Sequence, residues 1–133
     1  MLQRLVIILA LLVLSVSFGT ILGSDAAEAQ QAAAVAPEER KACEDLRSYM
    51  DKFKALARQS QGKDRDRGMA ELKKEYSAKL DKLPGQAKTE LVDWEKSCIL
   101  LYDAPASEED RHAEAMAKNL GIMRQACGGA LKP

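Results

Sequence analysis

Three cysteines, one histidine and a set of methionines hold most of the reactive chemistry in this chain of 133 residues. Cys43, Cys98 and Cys127 can pair as a disulfide or act singly as thiols. His112 brings an imidazole, and Met116, four residues on, adds a thioether. A thiolate, an imidazole and a thioether together suit Cu(I), so Cys98, His112 and Met116 form an alternative soft-metal set. A Cys98–His112 pair would also suit nucleophilic or redox chemistry. The plainer reading makes Cys98 a small buried hydrophobe and His112 a surface residue in a first helical turn.

The motifs that would favour the sharper reading are missing. There is no CxxC, no CxxCH, no HExxH and no Gly-rich phosphate loop. No Ser-His-Asp arrangement and no paired catalytic carboxylates can be read. Glu108, Glu109 and Asp110 lack the Asx/Gly pattern of a calcium loop and suit a helix start equally well. Trp94 and Tyr102, on one helix, read as core and rim. The expectation is a protein that is not an enzyme and carries no cofactor and no metal, with Cys98, His112 and Met116 as the alternative.

The compartment decides what the cysteines do. Arg4 is the one charge before an uncharged block from Leu5 to Leu22, pure in its first ten residues and diluted afterwards by Ser15, Ser17, Gly19 and Thr20. A basic start, an apolar run and Ala27-Glu28-Ala29 make a secretory signal, cleaved before Gln30. The alternative is a retained anchor, since the block as a helix reaches about 27 Å, just enough to cross a bilayer core. Either way the remainder is exported. The domain reading is therefore a signal peptide or anchor over 1–29, a flexible Ala/Gln-rich spacer over 30–36, and a helical domain over 37–133. A bacterial periplasmic or secreted protein fits best.

Periodicity supplies the elements that must position the cysteines. Pro37-Glu38-Glu39 starts a first helix, with Cys43, Leu46, Met50, Phe53 and Leu56/Ala57 at 3–4 spacing and Tyr49 alongside, running to Gln61. Lys63-Asp-Arg-Asp-Arg67 reads as a solvated link. A second helix, Gly68 to Lys82, carries Met69, Leu72, Tyr76, Leu80 and Leu83, and Pro84-Gly85 stops it. A third, Gln86 to Tyr102, carries Ala87, Leu91, Trp94, Cys98 and Leu101. Val92, Ile99 and Leu100 widen its face, so it reads as the most buried helix. Ser107 caps a fourth with Ala113, Met116, Leu120, Met123 and Cys127, ended by Gly128-Gly129. No segment alternates with period two. The fold class is all-α, an up-down bundle of about four helices.

Bundle geometry then chooses the disulfide. Cys43 lies about 27 Å below the top of the first helix, and Cys127 about 30 Å below the top of the fourth. Those helices are neighbours in an up-down bundle, so the two sulfurs share a level. Cys98 lies roughly 21 to 24 Å away along the axis, beyond disulfide reach. The expected bridge is Cys43–Cys127, with Cys98 a free thiol. So small a domain, with aromatic content of only 5%, reads as having a thin aliphatic core that needs such a staple.

Charge narrows the partners. Twenty Lys+Arg balance twenty Asp+Glu, which argues against a nucleic-acid binder driven by net basic charge. A single apolar run excludes a polytopic membrane protein. Lys52, Lys54, Arg58, Lys63, Arg65 and Arg67 cluster around the first link and read as a solvated helix end interleaved with acids. The functional expectation is an exported, non-enzymatic binding or structural protein. Its partner would be another envelope protein or a surface, met through an exposed helix face or the basic link. It would engage a membrane only if 1–29 is kept.

Overall fold

A computed structural model describes residues 35–133 of the chain. The expected signal peptide or anchor lies outside the described residues, as does most of the spacer. Among the described residues four α-helices follow one another: α1 Pro37–Ala57, α2 Lys63–Leu80, α3 Gly85–Asp103 and α4 Glu109–Ala126, with a 3-10 turn at Ala106–Glu108 before α4. No strand occurs among the described residues. No helix among them is long and apolar enough to cross a membrane.

The helix starts follow local chemistry. Pro37 occupies the first turn of α1, with Glu38 and Glu39 beside it at the positive end of the helix dipole. Pro84 precedes α3, where its missing N–H breaks no helical hydrogen bond. At the other end of the chain Gly128 and Gly129 take φ of 57° and 81°. This left-handed backbone reverses the chain after α4 and returns Leu131 to the core.

The helices form two hairpins, α1 with α2 and α3 with α4, of which the second is packed more extensively. The hairpins meet mainly through α1 and α3. The first and fourth helices, expected as neighbours, do not pack along their lengths. In the structure α4 is tied to α1 at its C-terminal end, through the disulfide between Cys43 and Cys127, with Cα atoms 5.9 Å apart and a separation of 84 positions in sequence. Cys98 is free and buried.

The centre of the core is aromatic rather than purely aliphatic. Tyr49, Phe53 and Trp94 are fully buried, with Tyr76 nearly so. Their rings stack in a chain: Tyr49 on Tyr76 at 5.4 Å, Tyr49 on Phe53 at 6.0 Å, and Phe53 on Trp94 at 5.9 Å. Tilted pairs at these distances add about 0.5–1.5 kcal/mol each beyond the area they bury. Four rings placed on three helices thus hold both hairpins together, which a count of aromatics over the whole chain conceals.

Several expectations are corrected. The first helix ends at Ala57, so the break falls at residues 58–62. The second begins at Lys63, and Lys63 to Arg67 is its first turn rather than a solvated link. Gly68 lies inside that helix, where a Cβ would come within 2.8 Å of a Leu56 methyl carbon. The reason is packing: α2 crosses close to the end of α1. Ser107 does not cap α4; it lies in the 3-10 turn, and the residue before α4 is Glu108. Val92 and Leu100 do not widen a buried face of α3, being 50% and 45% exposed. The helix with most buried positions is α1. His112 is buried rather than on the surface, and Ala113 is exposed.

Candidate functional site

Two buried charges organise the side of the molecule between α2 and α3. Arg65 lies on the buried stripe of α2, in phase with Met69, Leu72 and Tyr76. Its guanidinium grips Asp103 at the end of α3 in a fork, Nη1 to Oδ1 at 2.8 Å and Nη2 to Oδ2 at 2.7 Å. Nη1 also reaches the carbonyls of Ala57 and Gln59, at 3.5 and 3.4 Å. One side chain of α2 therefore serves a carbonyl at the end of α1, a carbonyl in the link that follows it and the carboxylate at the end of α3. The Arg65 hydrogen bonds hold the Asp103 carboxyl below its ordinary range, with Gln61 adding to the effect.

Glu95 is the second. It lies on the buried stripe of α3 between Leu91 and Cys98. Tyr49 donates its hydroxyl to Glu95 Oε1 at 2.5 Å, from α1. Lys73 Nζ meets Glu95 Oε2 at 3.0 Å, from α2. Burial first, then the hydrogen bond to Glu95 and its negative charge, pushes the Tyr49 phenol far above the ordinary tyrosine range. Tyr49 is therefore a fixed donor at all physiological pH.

Below the Lys73–Glu95 pair the two helices part around a cleft of about 310 Å³. Leu80, Leu91 and Val92 form apolar walls, and Leu83 of the connecting turn lines the cleft as well. Ser77, Asp81 and Lys88 add polar groups. The volume falls at the small end of ligand cavities. A groove of about 460 Å³ between the start of α1 and the end of α2 is larger. Its lining of Ala42 and Ala78 with surface Lys and acid side chains includes no buried charge. The cleft is the stronger candidate because an apolar space and a buried carboxylate coincide there.

The residues singled out from sequence fare differently. Cys43 and Cys127 are joined. Burial raises the Cys98 thiol to about 11, against the weaker pull of Lys54 and Arg58, so the group is held protonated and is a poor nucleophile or metal ligand as it stands. His112 and Met116 are buried one turn apart on α4. His112 Nε2 lies 3.5 Å from Glu108 Oε2, without hydrogen-bond alignment. Among the described residues no three His, Cys, Asp or Glu side chains gather as a metal site would.

The basic stretch is largely engaged rather than presented. Arg65 is internal, Arg58 donates to the Tyr102 hydroxyl at 3.1 Å, and Lys52 pairs with Glu75 at 3.3 Å beside the Tyr76 ring.

Glu95, Tyr49, Lys73, Arg65 and Asp103 were not picked out from the sequence as a site. A signal for two of them existed. Arg65 and Glu95 each stand in phase with an apolar stripe, where a solvated charge does not belong.

No protein-family model matches this chain, and neither a curated protein nor a solved structure matches it.

Proposed function

We propose that this chain is an exported, disulfide-stapled helical binding protein of a cell envelope, periplasmic or secreted, with no catalysis of its own. The observation that carries the reading is the Cys43–Cys127 bridge, since disulfides persist in oxidising compartments and are rare in reducing ones. The apolar run from Leu5 to Leu22 ahead of Ala27-Glu28-Ala29 supports the same compartment. Balanced charge favours a protein or surface partner over nucleic acid. Because Arg65 is turned inward, the contact moves away from the basic link to exposed helix faces, of which α3, with Val92 and Leu100, is the most apolar.

Mass analysis of the protein from its native source tests this. The expected species begins at Gln30 and carries Cys43 and Cys127 oxidised. Both cysteines found reduced would overturn the exported reading. A chain beginning at Met1 would replace cleavage by a retained anchor. The soft-metal alternative built on Cys98, His112 and Met116 predicts a clear rise in melting temperature with Cu(I), which the binding reading does not.

A further inference from the structure

Among the described residues Glu95 is the one buried carboxylate, 9% exposed, and it borders an apolar cleft. Its two partners differ in kind. Tyr49 is fully buried and held between Phe53 and Tyr76. Lys73 reaches over from α2 on a side chain that is 55% exposed. The Lys73 ammonium is readily rehydrated when it leaves, whereas the Glu95 carboxylate, 11% exposed, is not and calls for another cation in its place. Removing a carboxylate from water is expensive, and an apolar side chain would pack α1 against α3 at least as well. What the carboxylate adds is a place for a cation next to apolar surface.

We propose that the α2–α3 cleft binds a primary aliphatic amine, its ammonium replacing Lys73 on Glu95 Oε2 and its alkyl chain lying against Leu80, Leu83, Leu91 and Val92. Lys73 is the built-in occupant, an alkylammonium on a tether, and swings into solvent when the ligand enters. Tyr49 keeps Oε1 engaged throughout, so the carboxylate does not turn. Asp81 at the cleft adds a second negative charge, and Lys88 the opposing positive one. An anionic amphiphile would meet Lys73 and Lys88 but would bring its charge beside buried Glu95, a like-charge contact. The cleft belongs wholly to the described helices, so this inference does not depend on export and each can fail alone.

The test is titration of hexylamine into the oxidised full-length protein, followed by the methyl resonances of Leu80, Leu91 and Val92, with hexanoate and 1-hexanol in parallel. Hexylamine should bind more tightly than either. Lys73→Ala should strengthen hexylamine binding by about twofold or more, because the competing ammonium is gone. Glu95→Gln should weaken it by about tenfold or more, as expected for loss of a charge-assisted hydrogen bond. Val92→Arg, at a half-exposed position on the cleft wall, should abolish binding while the melting temperature is kept. If Glu95→Gln does not fold, the gain with Lys73→Ala and the loss with Val92→Arg still decide the matter. Binding that is unchanged or weakened by Lys73→Ala, or hexanoate or 1-hexanol binding as tightly as hexylamine, overturns the proposal.

Discussion

Arg65 and Asp103 face each other in a fork across the top of the molecule, two parallel N–H···O bonds of 2.8 and 2.7 Å. The pair joins the first turn of α2 to the last residue of α3, and the same guanidinium closes onto the carbonyls of Ala57 and Gln59. Planar, two-point recognition of this sort is particular to arginine. Arg65→Met should leave Asp103 nearly buried and without its counter-charge, lowering stability by about 2 to 4 kcal/mol. Arg65→Lys should recover only part of that loss. Urea denaturation of the three proteins is the check, and equal stability of Arg65→Met and wild type would remove the latch from the account.

The same pair sets an acid limit. Asp103 has its carboxyl lowered in the folded state, so its contribution is fully present above the unfolded value of about 3.9 and is lost as pH falls through the folded one. Asp103→Asn should be clearly less stable than wild type at pH 7, and the gap should narrow below about pH 4, where the carboxyl of the unfolded wild-type chain begins to take up its proton. Thermal melts from pH 7 to pH 2 measure that convergence. A gap that stays constant into acid would mean the effect of the substitution is not electrostatic.

The disulfide should carry a large share of stability. With its ends 84 positions apart in sequence, the bridge is worth about 4 to 5 kcal/mol in the chain-entropy treatment. Removal of a bridge from a small domain commonly costs 2–5 kcal/mol, or roughly that. Melting with and without reductant, and of the Cys43→Ser/Cys127→Ser variant, should show a shared large drop. Non-reducing peptide mapping should find Cys98 outside the bridge.

Cys98 should be inert until the protein unfolds. Its thiol is raised to about 11 by burial, so at pH 8 the thiolate is scarcer than in an unfolded chain by about two orders of magnitude. Iodoacetamide should therefore label Cys98 at a rate that rises steeply with denaturant and follows unfolding. Rapid labelling of the native protein would contradict the burial.

Tyr49 is the fixed end of the Glu95 network. Tyr49→Phe removes the donor to Glu95 Oε1 and leaves a buried carboxylate oxygen unserved, at a cost of about 1–3 kcal/mol. The phenol is raised in the folded state, so its contribution holds below about pH 10 and fades as pH rises above it. Absorbance titration should show Tyr49 ionising only with alkaline unfolding. A tyrosine count that is complete while the protein remains folded would rule this out.

Much of the architecture is legible along the chain. Leu46, Met50 and Phe53, or Leu91, Trp94 and Cys98, repeat at helical spacing, and Pro37, Pro84-Gly85 and Gly128-Gly129 mark ends by backbone chemistry that acts over a few residues. The disulfide is legible in part: helix rise along an up-down path puts both cysteines at one level, while the structure joins α1 and α4 only at that end rather than along their length. The site does not follow in this way. Arg65 reads as one more charge in a polar run until the end of α3 arrives with Asp103, 38 residues away in sequence. Glu95 reads as a solvated acid until Tyr49 of α1 and Lys73 of α2 close on it. Local pattern decides which residues form helices and which face is apolar, since those depend on neighbours three and four positions away. Which charges are buried, and with which partners, is decided when separate helices meet, because desolvation and hydrogen bonding depend on groups that adjacency in sequence does not supply.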